Sequence, residues 1–355
     1  MQVSLHKEKS NAYSNFIESL SAEQTRTTYD AHLCRFLRNY NLSVEQFLDL
    51  TPQEKEQKII DFLLLKRREG LSSQYAYVSL IAVNHLCIMN DVTLNTKKLS
   101  RFVHHNKTRK YEDRAYTHEE IFGLLNVCDP RMKVIVLLMA SGGLRIGAIP
   151  PLKLRDLLDN PKNAIVVYAD SKDKYITFIT SECRQAIDRY LEYRIQCGEK
   201  LTPDSPLIRE QFDMSDLEQV RKKSRPIAEC TIAGTLRLNL IKAGLRKVDR
   251  GKVIRHEVKA NHGFRKFFST QLVEADLKTE LRWLLEGHAL KGNDASYVKV
   301  SLERLAEEYD KAIDLLTINP ENRLKKKVQV LILEKSKIDE ALAEIRAMKK
   351  RIGLD

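Results

Sequence analysis

Two short β-rich runs, NAIVVYA and KYITFIT, interrupt a chain whose other apolar segments follow helical spacing. DSKD joins them, and β-rich runs around such a turn read as a hairpin. One hairpin makes only a small antiparallel sheet, so most of the core must come from helices. The expected fold class is therefore mainly α with a small antiparallel β-sheet.

The helical signals fall into two groups. Residues 8 to about 92 read as an all-α unit. Tyr29, Leu33, Phe36, Leu37 and Tyr40 share one helical face. PQEKEQKIIDFLLLKRREG opens with Pro52 near its start and closes on Gly70, the usual asymmetry of helix ends. SSQYAYVSLIAVNHLCIMND reads as a further helix. Residues 96–114 are basic with little apolar rhythm and read as an interdomain linker lying against a polyanion. A second unit opens at Thr117, which with Glu120 makes a capping box. RMKVIVLLMASG follows and breaks at Gly142-Gly143. After the hairpin, helices are expected at about 181–196, 227–243, 262–274, 278–287 and 301–315. The expected division is 1–95, 96–114, 115–319 and 320–355. The last segment carries Leu324, Val328, Leu331, Ile338, Leu342, Ile345 and Ile352 at heptad-like positions, interrupted by Lys335 and Lys349. It reads as a long amphipathic helix for a partner helix, a neighbouring protomer or its own domain.

Charge narrows the function. The 355 residues carry a formal +12, and Arg221 to Phe268 holds fourteen Lys or Arg against three acids, Glu229, Asp249 and Glu257. A field concentrated this way suits a phosphate backbone. The cysteines at 34, 87, 128, 183, 197 and 230 are scattered, without a CxxC pair or zinc spacing, and read as reduced thiols. No HExxH is present. Neither a signal-peptide pattern nor an apolar run of membrane-span length appears. The expectation is a soluble cytoplasmic protein with no membrane partner and no metal.

Four stretches can carry chemistry. In SGGLRIGAIPPLKL, Arg145 follows a Gly-Gly helix break, where an arginine can face a phosphate; alone, it reads as a surface arginine. In SKDKY, Lys172 and Lys174 sit at the hairpin tip; alone, they are solvated turn lysines. In NHGFRKFFSTQL, His262 and Arg265 are spaced i, i+3 at a helix start, with Phe264, Phe267 and Phe268 as a buried face. In LRWLLEGHALKGNDASYVKV, Gly287 ends a helix, His288 lies at the corner, and Tyr297 follows nine residues on, in a segment too polar to bury it.

In that order, Arg, Lys, His-x-x-Arg, Gly-His and Tyr, the chain resembles the tyrosine recombinase (phage integrase) family from Thr117 to about Thr317. YITFITSECRQAIDRYLEYR and EEYDKAIDLLTIN look most like integrases of archaeal viruses and plasmids. The resemblance implies an N-terminal helical DNA-clamping domain and a catalytic domain holding Arg145, Lys172, His262, Arg265, His288 and Tyr297. Arg145 and Arg265 would bind non-bridging phosphate oxygens, with His262 and His288 as further donors. Lys172 would protonate the leaving 5′-oxygen, with Lys174 in reserve, and Tyr297 would attack. No cofactor, ATP or metal is implied. The implied partner is double-stranded DNA, with a homotetramer assembled on it. Ala148 stands where many members carry an acid, and Lys266 where many carry His. Tyr309, in a helical apolar rhythm, is the rival nucleophile. The alternatives are a type IB topoisomerase-like enzyme and a catalytically silent DNA-binding protein of the same fold.

Overall fold

The structure, a computed structural model, describes residues 11–103, 113–158, 162–213, 215–221, 224–247, 256–288 and 300–352. The chain divides into two units, Met1–Lys110 and Tyr111–Asp355.

The first unit is helical among its described residues: α1 (Asn11–Glu18), α2 (Glu23–Tyr40), α3 (Val44–Asp49), α4 (Pro52–Arg68), α5 (Ser73–Ile88) and α6 (Thr96–Ser100). Ser43 with Gln46 and Thr51 with Glu54 form capping boxes, satisfying backbone donors at the starts of α3 and α4. Phe36 lies at the centre, with Phe47 and Phe62 edge-on to its ring. The early part of the expected linker belongs to this unit. Leu99 and Val103 are buried four residues apart, while Arg101 between them stays outside and Lys98, just before them, pairs with Glu56 at 2.7 Å.

The second unit is helical around one hairpin. It contains α7 (His118–Val127), α8 (Pro130–Ser141), β1 (Ala164–Val167), β2 (Tyr175–Phe178) and α9 (Ser181–Gln196). It continues with α10 (Leu217–Arg221), α11 (Glu229–Lys242), α12 (His262–Glu274), α13 (Thr279–Leu285), α14 (Leu302–Leu316) and α15 (Pro320–Ile352). β1 and β2 pair antiparallel, Ala164 opposite Phe178 and Val167 opposite Tyr175. The fold class is the expected one.

Thr117 and Glu120 close the capping box of α7. α8 is buried almost all round and packs against α9 and α12, so it is the axis of the core. α14 packs on α12 and α13. It buries Tyr309, whose hydroxyl donates to Ser141 O at the end of α8 (2.9 Å). After α14, Ile318 is buried, and Glu182 accepts the backbone N–H groups of Ile318 (2.9 Å) and Asn319 (3.1 Å). α15 then leaves with Leu324, Val328, Leu331, Ile338, Leu342 and Ile345 exposed. Among the described residues, no helix is long and apolar enough to cross a membrane. The six cysteines are free thiols.

Candidate active site

The site begins where α8 stops. Gly143 has φ +65°, a left-handed conformation that favours glycine. A Cβ there would meet the Phe268 ring at 2.2 Å. The break therefore lets α12 approach closely and turns the Gly143 carbonyl toward it. Arg265, on α12, is buried among Phe264, Phe267 and Phe268 and donates from Nη1 to Gly143 O at 2.7 Å. Two residues beyond Gly143, Arg145 is exposed in extended backbone, capping a single 3-10 turn over Ile146–Ala148.

The third approach comes from α13. Gly287 adopts φ +65°; its N–H bonds Leu284 O (3.0 Å) and the His288 N–H bonds Trp283 O (2.9 Å). This pair of bonds is a Schellman ending, which only a left-handed residue at Gly287 allows. The turn aims two acceptors at Arg265. Nη2 donates to Glu286 O and lies 3.1 Å from His288 Nε2. The Tyr175 ring of β2 packs on Gly287, leaving no space for a Cβ.

Two arginines and two histidines thus share one electrostatic neighbourhood. Burial, then the charge of Arg145, lowers the Arg265 pKa, with Tyr175 and Glu286 opposing; a guanidinium stays charged nonetheless. His288 is lowered by burial and by Arg265 and Arg145, with Glu286 opposing. His262, the exposed first residue of α12, is lowered by what burial it has and by Lys259, Lys266 and Arg265. Both histidines are biased toward the neutral form until an anion arrives.

Lys172 and Lys174 are exposed on the hairpin loop. The loop is held by Ser171 N–H to Tyr168 O (2.9 Å) and Lys174 N–H to Ser171 O (3.2 Å). Both ammonium groups are cations, like Arg145 and Arg265, and would need an anion between them to share a site. Lys266 donates to Asp113 O, so it is engaged with the segment that precedes α7. Tyr297 lies outside the described residues, beyond His288, the last one before that gap.

Sequence reasoning passed over three residues beside this cluster. Tyr168 and Tyr175 flank the hairpin loop with ring centroids 6.4 Å apart. Burial raises both phenols, and Arg145 and Arg265 pull both down. Two tyrosines bracketing a lysine loop were the available signal. Glu286, a carboxylate one residue before the Gly-His corner in an otherwise apolar run, is the third. It is buried, and its Oε2 is 3.2 Å from His288 Nε2.

The profile of the phage integrase family matches residues 114–303, more than half of the chain. The chain belongs to the phage integrase family. The tyrosine recombinase XerA of Thermococcus onnurineus is 24% identical over 281 residues, spanning 78% of this chain and 88% of that one. The tyrosine recombinase XerC of Staphylococcus epidermidis is 27% identical over 215 residues, 58% of this chain and 63% of that one. A solved lambda integrase tetramer bound to a Holliday junction superposes with a TM-score of 0.55 at 14% identity, covering 80% of this chain and 75% of that one. The Tn1549 transposon integrase in complex with transposon right end DNA gives 0.53 at 15% identity, covering 84% and 98%. At these identities the two structures speak for the fold of an integrase, and the chemistry has to be argued from the site.

Proposed function

We propose that this integrase-family chain is a site-specific DNA recombinase that cuts and rejoins duplex DNA through a 3′-phosphotyrosyl intermediate at Tyr297. The observation that carries this reading is the convergence of Arg145, Arg265 and His288 at the corner from which the chain runs on to Tyr297. A phosphodiester is anionic and repels nucleophiles, so cationic N–H donors must meet it first. Arg145 and Arg265 present planar forked donors that match non-bridging phosphate oxygens. They stabilise the added charge of a pentacoordinate transition state, with His262 and His288 as further donors.

In the proposed step the Tyr297 Oη–P bond forms and the P–O5′ bond breaks. The phenol proton leaves with help from His262, and Lys172 protonates the departing 5′-oxygen. A phenol with a pKa near ~10 is mostly protonated at neutral pH; neighbouring positive charge makes its phenolate accessible. A 5′-hydroxyl reverses the step, because one phosphodiester is exchanged for another, and neither ATP nor a metal enters it. The basic 221–268 stretch would contact phosphates, which position the duplex without reading its sequence. Exchange between two duplexes needs four such sites, hence a homotetramer on DNA.

The test is covalent trapping. Wild type and Tyr297→Phe are incubated, in EDTA, with labelled duplexes from the protein's own gene and flanks, nicked so that the cleaved end diffuses away. A denaturation-resistant protein–DNA band with wild type alone is expected. A band that survives Tyr297→Phe would overturn the assignment. Tyr309 is a poor candidate to replace it, because its hydroxyl is buried and already donates to Ser141 O.

A further inference from the structure

Glu286 is a carboxylate beside the Gly-His corner. It is buried, with a relative exposure of 6%, and stands at the C-terminal end of α13. A carboxylate taken out of water needs hydrogen-bond partners for both its oxygens. Its compensation is incomplete. Oε1 makes no hydrogen bond, and Arg282 Nε, 4.0 Å away, is too far to supply one. An apolar side chain would fill the position at less cost. A buried carboxylate with one unpartnered oxygen and the other 3.2 Å from His288 Nε2 therefore points to a role in the site.

The geometry around His288 gives that role. Nε2 lies 3.1 Å from Arg265 Nη2 and 3.2 Å from Glu286 Oε2. A guanidinium only donates and an ionised carboxylate only accepts. One ring nitrogen cannot accept from the first and donate to the second at once. In the neutral ring with its proton on Nδ1, Nε2 accepts from Arg265, and the Glu286 oxygen faces a lone pair. In the charged ring, Nε2–H donates to Glu286, and the Arg265 N–H that pointed at the ring is freed.

We propose that Glu286 is a positioning residue for this site: its carboxylate accepts the hydrogen bond of protonated His288 and so releases a donor of Arg265 to the DNA phosphate. The inference rests on the recombinase reading above and deepens it. The groups facing the pair are Arg265 from α12, Arg145 after α8, Arg282 on α13 itself and Tyr175 from β2, whose ring lies on Gly287. In the free protein burial, then Arg265 and Arg145, hold His288 toward its neutral form, against Glu286. A phosphate arriving on Arg145 and Arg265 cancels their effect and adds its own negative charge to that of Glu286, so that burial alone still opposes protonation. One proton is then taken from solvent onto Nε2, so DNA engagement and proton uptake are linked.

The test uses the full chain with histidine-selective isotope labels and Glu286→Gln, which keeps shape and removes charge. The His288 resonance is assigned by its loss in His288→Gln. Without DNA, the His288 pKa should fall by about one unit in Glu286→Gln, as expected when a close counter-charge is removed. In single-turnover cleavage of the nicked duplex, the limb lost as pH rises should move down by the same amount. Activity should be about tenfold low above both pKa values and recover in acid, since one pH unit is a factor of ten in protonation. Glu286→Asp, which restores the charge, should return both readouts toward wild type. It also decides the matter if the glutamine variant does not fold. An unchanged His288 pKa, or an equal loss of rate at every pH, overturns the proposal. If wild type forms no covalent adduct, the recombinase reading fails, while the DNA-free titration still decides the Glu286–His288 coupling.

Discussion

Replacing Gly143 with alanine should damage the site through backbone strain and packing, with no catalytic group removed. The residue has φ +65°, and an added Cβ would sit 2.2 Å from Phe268 Cδ1, 2.6 Å from Cε1 and 2.8 Å from Cγ. The left-handed backbone costs an L-residue about 1–2 kcal/mol. Forcing a methyl group against a packed ring costs about 1–3 kcal/mol more. The sum is about 2–5 kcal/mol, and it falls on the segment whose carbonyl accepts from Arg265. The only tryptophan, Trp283, lies on α13 in the second unit, so its fluorescence in a urea titration follows that unit alone. With a urea slope of about 3 kcal/mol per M, a loss of about 3 kcal/mol lowers the midpoint by about 1 M. Phe268→Leu removes the ring that the methyl group strikes. A double-mutant cycle should therefore show Gly143→Ala costing less in the Phe268→Leu background, with a coupling of about 1–2 kcal/mol. A Gly143→Ala loss below about 0.5 kcal/mol, or strict additivity with Phe268→Leu, would refute the packing argument.

Three further outcomes follow from the same contacts. Arg265→Lys keeps the charge but loses the fork that reaches Gly143 O, Glu286 O and His288 together; adduct formation should fall by at least about 100-fold, read by single-turnover trapping. Glu199→Ala leaves the buried guanidiniums of Arg194 and Arg209, now 2.6 and 2.8 Å from its oxygens, without their counter-charge, and should cost the second unit about 3–5 kcal/mol by urea titration. Burial raises the Glu199 carboxyl pKa, but hydrogen bonds and charge from the two arginines outweigh it and hold the pKa below its ordinary value. Its stabilisation is therefore present above the unfolded carboxyl pKa near ~4.3 and lost as pH falls through the lower folded value; urea midpoints of Glu199→Gln and wild type should converge in that acid range. Tyr309→Phe should lose about 1 kcal/mol with its bond to Ser141 O and still form the covalent adduct.

Local chemistry made much of the fold legible. Thr117 and Glu120 announce α7, Pro52 and Gly70 bracket α4, and the β-rich runs around DSKD give the one hairpin described, because these signals act within a few residues of one another. The short helix α6, at the start of the basic stretch, was not legible in the sequence for a physical reason. Leu99 and Val103 bury in the core of the first unit, where α6 packs on α4 and α5, and the exposed Lys97, Lys98 and Arg101 dominate the local composition. Lys266 shows the same limit: its spacing beside Arg265 is plain, but its bond to Asp113 O crosses 153 positions.

For the proposed site, the sequence by itself supplied the candidates and their order, Arg145, Lys172, His262, Arg265, His288 and Tyr297, with glycines at the two breaks that need a left-handed residue. Helix periodicity and capping are short-range, so they can be read without a fold. Only the tertiary structure decided what those groups touch. Arg265 reaches Gly143 across 122 positions and His288 across 23, and Glu286 is buried against His288 because the Schellman turn at Gly287 folds the chain back over its own helix end. Which acceptor a donor finds is set by the packing of α8, α12 and α13 against one another, and a one-dimensional pattern does not contain that distance.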